Sequence, residues 1–352
     1  MGASLIFSFL LVVRNEKSYI SRVLHSILHQ DFPQHQYEII VVDGESTDNT
    51  PDIIKQHQTQ YPSRIQYYKN PQQTLPSGWN IGIKQARGEY VIRVDGHSDI
   101  PHDFLSKTYE VIQRVPDAAC VGGIVQSEGR GFWGEVNAYV YSHPFGVGNS
   151  KFRITKGDWE GYVDTVPYGA YKRHIFEENG YFDDSLERNE DLEMHARIRK
   201  NGGRFFLSTH IRSTYFVRST LTGLVRKSFA DGKWTIVAGR RGSGVLRWRH
   251  KVPLLAAVTG LLLALGSLFH TVSFVILLTL AITYGCLLII SSWGIRRQQS
   301  MRHFFACMVA FFLLHASRGL GSIVSLFSKD YWRKKRGYET QLEQNGLPDV
   351  TP

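Results

Sequence analysis

The first part of the chain alternates short apolar runs with segments of helical spacing. Residues 5–13 form a continuous apolar run, typical of a strand buried on both faces of a parallel sheet. Residues 18–29 then carry apolar side chains at helical spacing. The alternation predicts further strands at 37–42, 65–68, 89–94 and 119–124 and further helices at 52–60, 78–86 and 104–114. This βαβ order predicts an α/β fold, a doubly wound sheet with its site at the carboxyl ends of the strands.

The pattern changes after the strand predicted at 119–124. Residues 128–171 are rich in glycine and aromatic side chains and have poor periodicity, which predicts loops and short strands around an acceptor site. Helical spacing returns at 176–180 and 191–200. We therefore expect a first domain over residues 1–218.

Two apolar runs without a charged residue follow, at 252–269 and 272–290, and only His270 and Thr271 separate them. Each run is close to the length that crosses a bilayer, so we predict a transmembrane hairpin, with a buried soluble hairpin as the alternative. A third apolar segment at 304–327 contains His315 and Arg318. An arginine in the middle of a membrane costs at least about 2.5–3.5 kcal/mol. The segment therefore crosses with its polar face against protein, or it is re-entrant or interfacial, which we favour.

The net charge of +10 is concentrated around the apolar runs. Residues 226–251 hold eight basic side chains against the single acidic Asp231, which indicates contact with anionic membrane lipids. We interpret 219–251 as a basic amphipathic interfacial segment, the alternative being an amphipathic helix on the catalytic domain, and 328–352 as a basic polar tail. The positive-inside rule places the catalytic domain on the cytoplasmic side of the cell (inner or plasma) membrane. No groove-reading motif accompanies the charge, so a nucleic-acid partner is not expected.

Asp95-Gly96-His97 follows the fourth predicted strand. The alternation of a strand places Asp95 and His97 on the same side of the backbone, and a carboxylate with an imidazole suits Mn²⁺ or Mg²⁺. A cation at the carboxyl end of a strand lies where an open α/β sheet binds a nucleotide diphosphate. The same three residues are also common in turns, which is the alternative interpretation.

Three more motifs occur with this one. Val12-Val13-Arg14-Asn15-Glu16 follows the first strand, Val42-Asp43-Gly44-Glu45-Ser46 follows the second, and Asn189-Glu190-Asp191 opens a helix. Together with Arg93-Val94-Asp95-Gly96-His97, their order resembles the inverting family 2 glycosyltransferases, which have the GT-A fold. The resemblance covers residues 4–218. No glycine-rich G-x-G-x-x-G turn follows the first strand, which argues against a nicotinamide dehydrogenase.

The resemblance implies a role for each motif. The nucleotide-sugar site would consist of Arg14, Glu16, Asp43 and Asp95. The metal site would consist of Asp95 and His97. The catalytic pair would be Asp191, as the base, and Glu190, which would orient the acceptor. Two positions depart from the family pattern. Gly44 replaces the second Asp after strand two, and His97 replaces the second Asp of the family's D-x-D, which favours Mn²⁺. Asn189–Asp191 also suit a helix N-terminus, which is compatible with catalysis.

The expected function is that of a membrane-bound, metal-dependent, inverting hexosyltransferase. It would use a nucleotide sugar, with UDP-glucose as the expected donor, and a polyprenyl-diphosphate-linked saccharide as acceptor in exopolysaccharide biosynthesis. Its expected partners also include membrane lipids and other polysaccharide assembly proteins. Two alternatives stay open: a polyprenyl-phosphate glycosyltransferase, and a non-catalytic scaffold of a polysaccharide assembly complex.

Overall fold

The computed structural model describes residues 5–333. Within that range, strands β1 to β9 are Phe7–Val13, Tyr37–Asp43, Ile65–Lys69, Tyr90–Asp95, Ser98–Asp99, Cys120–Glu128, Glu160–Val163, Ala170–Lys172 and Phe205–Phe216. Helices α1 to α14 are Ile20–Leu28, Thr50–Gln60, Leu75–Gln85, Phe104–Arg114, Gly131–Ser142, Pro144–Val147, Lys151–Ile154, His174–Asn179, Glu190–Lys200, Leu221–Arg241, Trp248–Gly266, Thr271–Gln298, Met301–Leu326 and Lys329–Trp332.

The described chain divides into two compact units. The first contains the residues up to Gln126 together with Thr155–Tyr215, and the second contains Ser127–Ile154 together with Phe216–Arg333. The first unit therefore holds the predicted site residues and the second holds the apolar helices.

The sheet of the first unit begins as a parallel sheet. Strands β3, β2, β1 and β4 are adjacent and parallel in that order, and β8 joins β4 antiparallel. The register aligns Val13 with Asp43 and Val12 with Asp95. The carboxyl ends of the three central strands therefore meet at one edge, as expected for an α/β fold, while the later strands make the sheet mixed.

Helix α3 packs unusually close to this sheet through its glycines. A Cβ atom on Gly78 would lie 2.5 Å from Cγ1 of Val12, and one on Gly82 would lie 3.1 Å from Leu10. The absence of side chains at these two positions lets the helix approach β1 and bury Trp79 completely.

A buried carboxylate connects strands near their amino ends. Glu38 accepts hydrogen bonds from Ser8 Oγ (2.7 Å), from Nε2 of Gln66 (2.7 Å) and from the backbone and guanidinium of Arg87 (2.8 and 2.6 Å). Because each polar atom is paired, burying this charge is compatible with a stable sheet. The network lies at the end of the sheet opposite to the predicted site.

The prediction of loops and short strands over 128–171 is confirmed where β7 and β8 lie and is wrong for residues 131–154. Those residues form α5, α6 and α7 and belong to the second unit. Helix α5 was missed because its buried positions, such as Val136 and Val140, are interspersed with aromatic residues that blur helical spacing.

The second unit contains three helices that are long and apolar enough to cross a membrane. They are Trp248–Gly266, Thr271–Arg297 and Met301–Leu326. Helix α11 begins before its predicted run, and α12 ends after its own, because flanking polar residues continue the helices. Helix α10, in the predicted interfacial segment, packs its buried residues Leu224, Trp234 and Val237 within this unit, along α13.

Candidate active site

The loops after β1 and β2 are hydrogen-bonded to each other. Asn15 has a φ of 56°, in the left-handed region. Its side-chain Oδ1 accepts a hydrogen bond from the backbone amide of Thr47 (2.8 Å), and its backbone amide donates to Ser46 Oγ (2.9 Å). The amide of Glu16 donates to Thr50 Oγ1 (2.8 Å). These bonds give both loops a defined shape. Arg14 is exposed above them, and its side-chain stem lies over Gly44.

Asp43 is buried at the end of β2. Its carboxylate accepts bonds from the amide of Ser46 (3.2 Å) and from the hydroxyl of Tyr67 (3.1 Å). Burial, followed by the charge of Asp43, raises the pKa of Tyr67 to about 12. Asp43 therefore holds the turn after β2 in shape, and whether it also contacts a nucleotide stays a prediction.

Asp95 and His97 leave β4 toward a cluster of polar side chains. Tyr168, which has a φ of 42°, donates its hydroxyl to Oδ2 of Asp95 (3.0 Å). Nδ1 of His97 lies 3.2 Å from Oε1 of Glu16. A histidine that donates Nδ1–H to a carboxylate carries its lone pair on Nε2, the arrangement of many metal-binding histidines.

The start of α9 holds the predicted catalytic pair. Oε1 of Glu190 pairs with the guanidinium of Arg93 at 3.1 Å, and the neighbouring Asp191 accepts the amide of Leu192 (2.8 Å). The guanidinium carbon of Arg93 lies 4.6 Å from the ring centres of both Trp79 and Phe182. Arg93 is thus fixed between two aromatic faces with its charge directed at Glu190.

The environment changes the protonation equilibria of this pair. Burial, followed by the charge of Asp191, raises the pKa of Glu190 to about 7. Burial also raises the pKa of Asp191, against the lowering effect of Arg93. The charge of Asp95 contributes to both increases, so the end of β4 and the start of α9 belong to one electrostatic site. A carboxyl with a raised pKa is a better proton acceptor than an ordinary aspartate.

The structure thus brings most of the predicted residues into two neighbouring groups. Glu16, Asp95 and His97 form one, and Glu190 and Asp191 form the other. Arg93 and Tyr168 were not predicted, although Arg93 lies inside the quoted motif Arg93-Val94-Asp95-Gly96-His97. The available signal for Arg93 was a charged residue within a buried strand. For Tyr168 it was the position of a tyrosine in a Pro-Tyr-Gly turn.

The donor set fits a divalent cation in part. Asp95 and His97 supply a carboxylate oxygen and an imidazole nitrogen, with Glu16 as an orienting carboxylate behind the histidine. Within residues 5–333, no group of three or more His, Cys, Asp or Glu side chains is placed to hold an ion. Protein ligands alone therefore do not complete a coordination shell in the described part of the chain.

A cavity of about 550 Å³ lies beside β5. Residues of α4 and β9 also border it, including Lys107, His210 and Arg212. None of the predicted site residues is in its lining, so we do not assign the cavity to the candidate active site.

Comparison with known proteins agrees with the sequence motifs. The profile "Glycosyl transferase family 2" matches residues 8–180. The dolichyl N-acetyl-alpha-D-glucosaminyl phosphate 3-beta-D-2,3-diacetamido-2,3-dideoxy-beta-D-glucuronosyltransferase of Methanococcus voltae is 30% identical over 247 residues, which cover 68% of this chain and 76% of that protein. The succinoglycan biosynthesis protein ExoA of Rhizobium meliloti is 26% identical over 62% of this chain and 66% of that protein.

Solved structures show the same fold. A mannosyltransferase of Pyrobaculum calidifontis, solved with GDP-Man and Mn²⁺, aligns with a TM-score of 0.63 at 18% identity, over 92% of this chain and 87% of that one. TarS 1-349 of S. aureus, solved with UDP-GlcNAc, aligns with a TM-score of 0.52 at 18% identity, over 92% of each chain. The predicted GT-A architecture, an α/β sheet followed by a helical region, is confirmed.

Proposed function

Because the chain belongs to glycosyl transferase family 2, it is a glycosyltransferase, and we propose that it transfers a hexose from a nucleotide sugar to a lipid-linked saccharide with inversion. The observation that carries this proposal is the ion pair between Arg93, two residues before Asp95 on β4, and Glu190 at the start of α9, which lie 3.1 Å apart. A donor-binding carboxylate and a proton-accepting carboxylate in one site suit a single displacement.

The donor side is formed by the ends of β1, β2 and β4. Arg14 and Asp43 lie on the two interlocked loops, where they would contact the nucleotide. Asp95 and His97 would hold Mn²⁺ or Mg²⁺, and Glu16 would orient His97. A bound divalent cation offsets the charge that develops on the leaving diphosphate.

Asp191 is the proposed base. It accepts the proton of the acceptor hydroxyl while that oxygen bonds to the anomeric carbon and the bond from this carbon to the diphosphate breaks. Glu190, paired with Arg93, would orient the acceptor. The raised pKa of Asp191 makes the proton transfer more favourable than for an exposed aspartate.

The relatives and the second unit support an acceptor and a location. One relative is named for a dolichyl phosphate-linked sugar and another for succinoglycan biosynthesis, and three helices here are apolar enough to cross a membrane. Both features support a polyprenyl-diphosphate-linked saccharide as acceptor in exopolysaccharide biosynthesis. We place the protein in the cell (inner) membrane with a cytoplasmic catalytic domain, and UDP-glucose remains our expected donor.

The replacement Asp191→Asn tests the base. We expect transfer to fall by roughly 10²–10⁴-fold, because the amide cannot take the proton, while donor affinity stays within about twofold of wild type. Release of nucleoside diphosphate from a panel of nucleotide sugars measures transfer, and calorimetry measures donor binding. Loss of donor binding in this variant would reject Asp191 as base.

The same variant separates the alternatives. A polyprenyl-phosphate acceptor already carries a nucleophilic oxygen, so Asp191→Asn would keep most of its activity with such an acceptor. A non-catalytic scaffold would release no nucleoside diphosphate with any donor.

Replacement of Glu16 by Gln tests the metal site. A neutral amide orients His97 less well and lowers its basicity, so the Mn²⁺ concentration for half-maximal activity should rise by roughly 10–100-fold. Titration of the metal-stripped enzyme with Mn²⁺ gives this concentration from the activity. Quenching of intrinsic fluorescence in the same titration measures Mn²⁺ binding independently of activity. Glu45→Gln, on the adjacent loop, is the control and should leave the titration unchanged. Equal metal affinity in wild type and Glu16→Gln would argue against His97 as a ligand.

A further inference from the structure

We propose that helix α13 does not cross the membrane but lies in the membrane surface, with both ends on the same side as the start of α11. The proposal rests on the membrane location in the proposed function and on the transmembrane hairpin predicted from the sequence, in which α11 and α12 cross. It assigns a lipid-binding face to α13 and places Arg333 on the side of the basic residues that precede α11.

The surface of α13 is divided lengthwise. Its window of highest hydropathy is 44% buried in the protein, whereas those of α11 and α12 are 0% buried. Its exposed side carries one continuous apolar row: Met301, Phe305, Val309, Phe312, Ala316, Leu320, Val324 and Phe327. A helix with one apolar face and one protein-covered face suits insertion into a single leaflet.

The C-terminal end of α13 is attached to α10. Nζ of Lys233 lies 2.5 Å from a carboxylate oxygen of Asp330, just beyond α13. The guanidinium of Arg241 donates to the carbonyls of Asp330 (3.3 Å) and Arg333. The end of α13 therefore lies on the same side of the membrane as the end of α10.

The end of α10 lies on the same side as the start of α11. Residues 242–247 connect them, and a link of this length spans at most about 25 Å when fully extended. The hydrocarbon core is about 30 Å thick, so the link does not reach across it. Nor does α10 itself cross, because Arg226, Lys227, Asp231 and Lys233 lie along it.

The start of α13 is on that side as well. In a hairpin that crosses twice, the end of α12 returns to the side where α11 began. Helix α13 starts at Met301, three residues after Gln298 ends α12. Both ends of α13 are thus fixed to one side, and a single crossing is excluded.

The polar residues of α13 agree with this placement. Nε2 of His315 lies 2.7 Å from the carbonyl oxygen of Phe145, and Arg318 donates to the carbonyl of Gly146 (3.4 Å). Both partners belong to α6. The charge of Arg318 therefore faces protein, away from the apolar row.

Three exposed tryptophans mark the same side. Trp248 begins α11, Trp293 lies near the end of α12 and Trp332 follows α13, with exposed fractions of 71%, 42% and 67%. Tryptophan prefers the membrane–water interface. The topology places all three at one interface.

Labelling of single cysteines tests the topology in the full chain. Each variant is made on a background without Cys120, Cys286 and Cys307 that retains nucleotide binding, and inside-out vesicles are treated with an impermeant maleimide. Ser243→Cys reports the α10–α11 link, His270→Cys the turn of the hairpin, and Lys329→Cys the end of α13; all three positions are exposed.

We expect Lys329→Cys and Ser243→Cys to react from the same side and His270→Cys from the other. Reaction of Lys329→Cys together with His270→Cys would overturn the proposal. If His270→Cys reacts together with Ser243→Cys, the hairpin does not cross. Both the anchor and this inference then fail, while transferase activity stays a separate measurement.

Depth measurements provide a second, independent test. A fluorophore on Phe312→Cys, near the middle of α13, should be quenched best by lipids brominated in the half of the acyl chain nearer the headgroup, because the Phe312 ring lies 6.5 Å from that of Tyr284, within the apolar run of α12. A fluorophore on Leu280→Cys, in the apolar part of α12, is the matched reference and should be quenched best by lipids brominated near the chain ends. Equal depths at the two positions would overturn the proposal.

Discussion

Arg93 sets the charge balance of the candidate active site. Burial acts to lower the pKa of this arginine, but Glu190 and the other acidic neighbours act more strongly together, and the net pKa is raised. Arg93 therefore stays protonated between Trp79 and Phe182. Its charge in turn lowers the pKa values of Glu190 and Asp191 below those that burial alone would give.

Removing this charge should change the pH dependence of transfer. In Arg93→Met the pKa of Asp191 rises, so more of this proposed base is protonated at acidic pH. The acidic limb of the kcat/KM profile should move to higher pH, with a loss on the order of tenfold at pH 6. Steady-state rates from pH 5 to 9 measure the shift.

Arg93→Lys is the matched control for this prediction. It keeps the charge but loses the planar group between the two rings, so its profile should stay near wild type even where its rate is lower. A wild-type profile in Arg93→Met would mean that Arg93 acts by packing alone. Thermal unfolding of both variants confirms that they fold.

Residue types and their order predict three acidic side chains as members of the candidate site, and their roles stay predictions. Asp95, Glu190 and Asp191 follow a strand or open a helix, and that local position predicts where they point. Arg93 and Tyr168 were missed because their partners, Glu190 and Asp95, are 97 and 73 positions away. Contacts over such separations depend on the sheet register, which single motifs do not contain.

Helices α10 and α13 pack backbone to backbone at glycines. A Cβ atom on Gly232 would lie 2.1 Å from the carbonyl oxygen of Arg318, and one on Gly321 would lie 2.1 Å from that of Phe229. Such contacts allow a close approach but leave no room for any side chain.

Gly232→Ala should therefore destabilise the second unit. Overpacking of this kind typically costs about 1–3 kcal/mol, although alanine favours the helix itself. The change is measured as a lower thermal midpoint in detergent. Gly260→Ala, in α11, is the control, because a Cβ there meets nothing within 4 Å, and it should be neutral or slightly stabilising. Equal midpoints for both variants would contradict the close packing.

Elements were predicted best where one periodicity dominates. The strands at 5–13 and 37–42 and the helix at 104–114 were found within two residues, because their apolar positions repeat with a clear period. Strand β9 was missed, since Ser208, Thr209 and Ser213 are buried polar residues within it. A search for alternating apolar positions does not detect such a strand.

Acidic pH should lower the free energy of unfolding of the first unit through protonation of His195. This histidine is buried in α9 between Thr165 and Tyr171, and burial, followed by the charges of Arg93 and Arg199, lowers its pKa well below the usual value. The unfolded chain binds a proton near pH 6.5 and the folded chain does not, so stability falls as the pH drops below about 6.5. The loss is at most about 1.4 kcal/mol per pH unit.

Denaturant unfolding in detergent at pH 7.5 and 5.5 measures this loss. His195→Gln should show a smaller loss than wild type, and His35→Gln, at an exposed position, should match wild type. Protonation of Glu190, whose raised pKa acts in the opposite direction, is common to all three proteins and cancels in the comparison. Equal losses in wild type and His195→Gln would reject the prediction.

The order of domains along the chain was predicted only in outline. A catalytic part followed by apolar helices is readable from composition, because charge-free runs stand out. That Ser127–Ile154 folds with the later helices was not readable, because its partners, such as Ser291 for Tyr139 and Phe311 for Phe145, occur more than a hundred residues later.

The Glu38 network also bears on how the chain folds during translation. Glu38 is synthesised before Arg87, so its carboxylate lacks its charged partner until the chain has reached the segment before β4. The first apolar helix begins only at Trp248. At about 5–20 residues per second, on the order of 10 s pass between the synthesis of Arg87 and that of Trp248. The first unit can thus close its sheet before any of the three apolar helices has been synthesised.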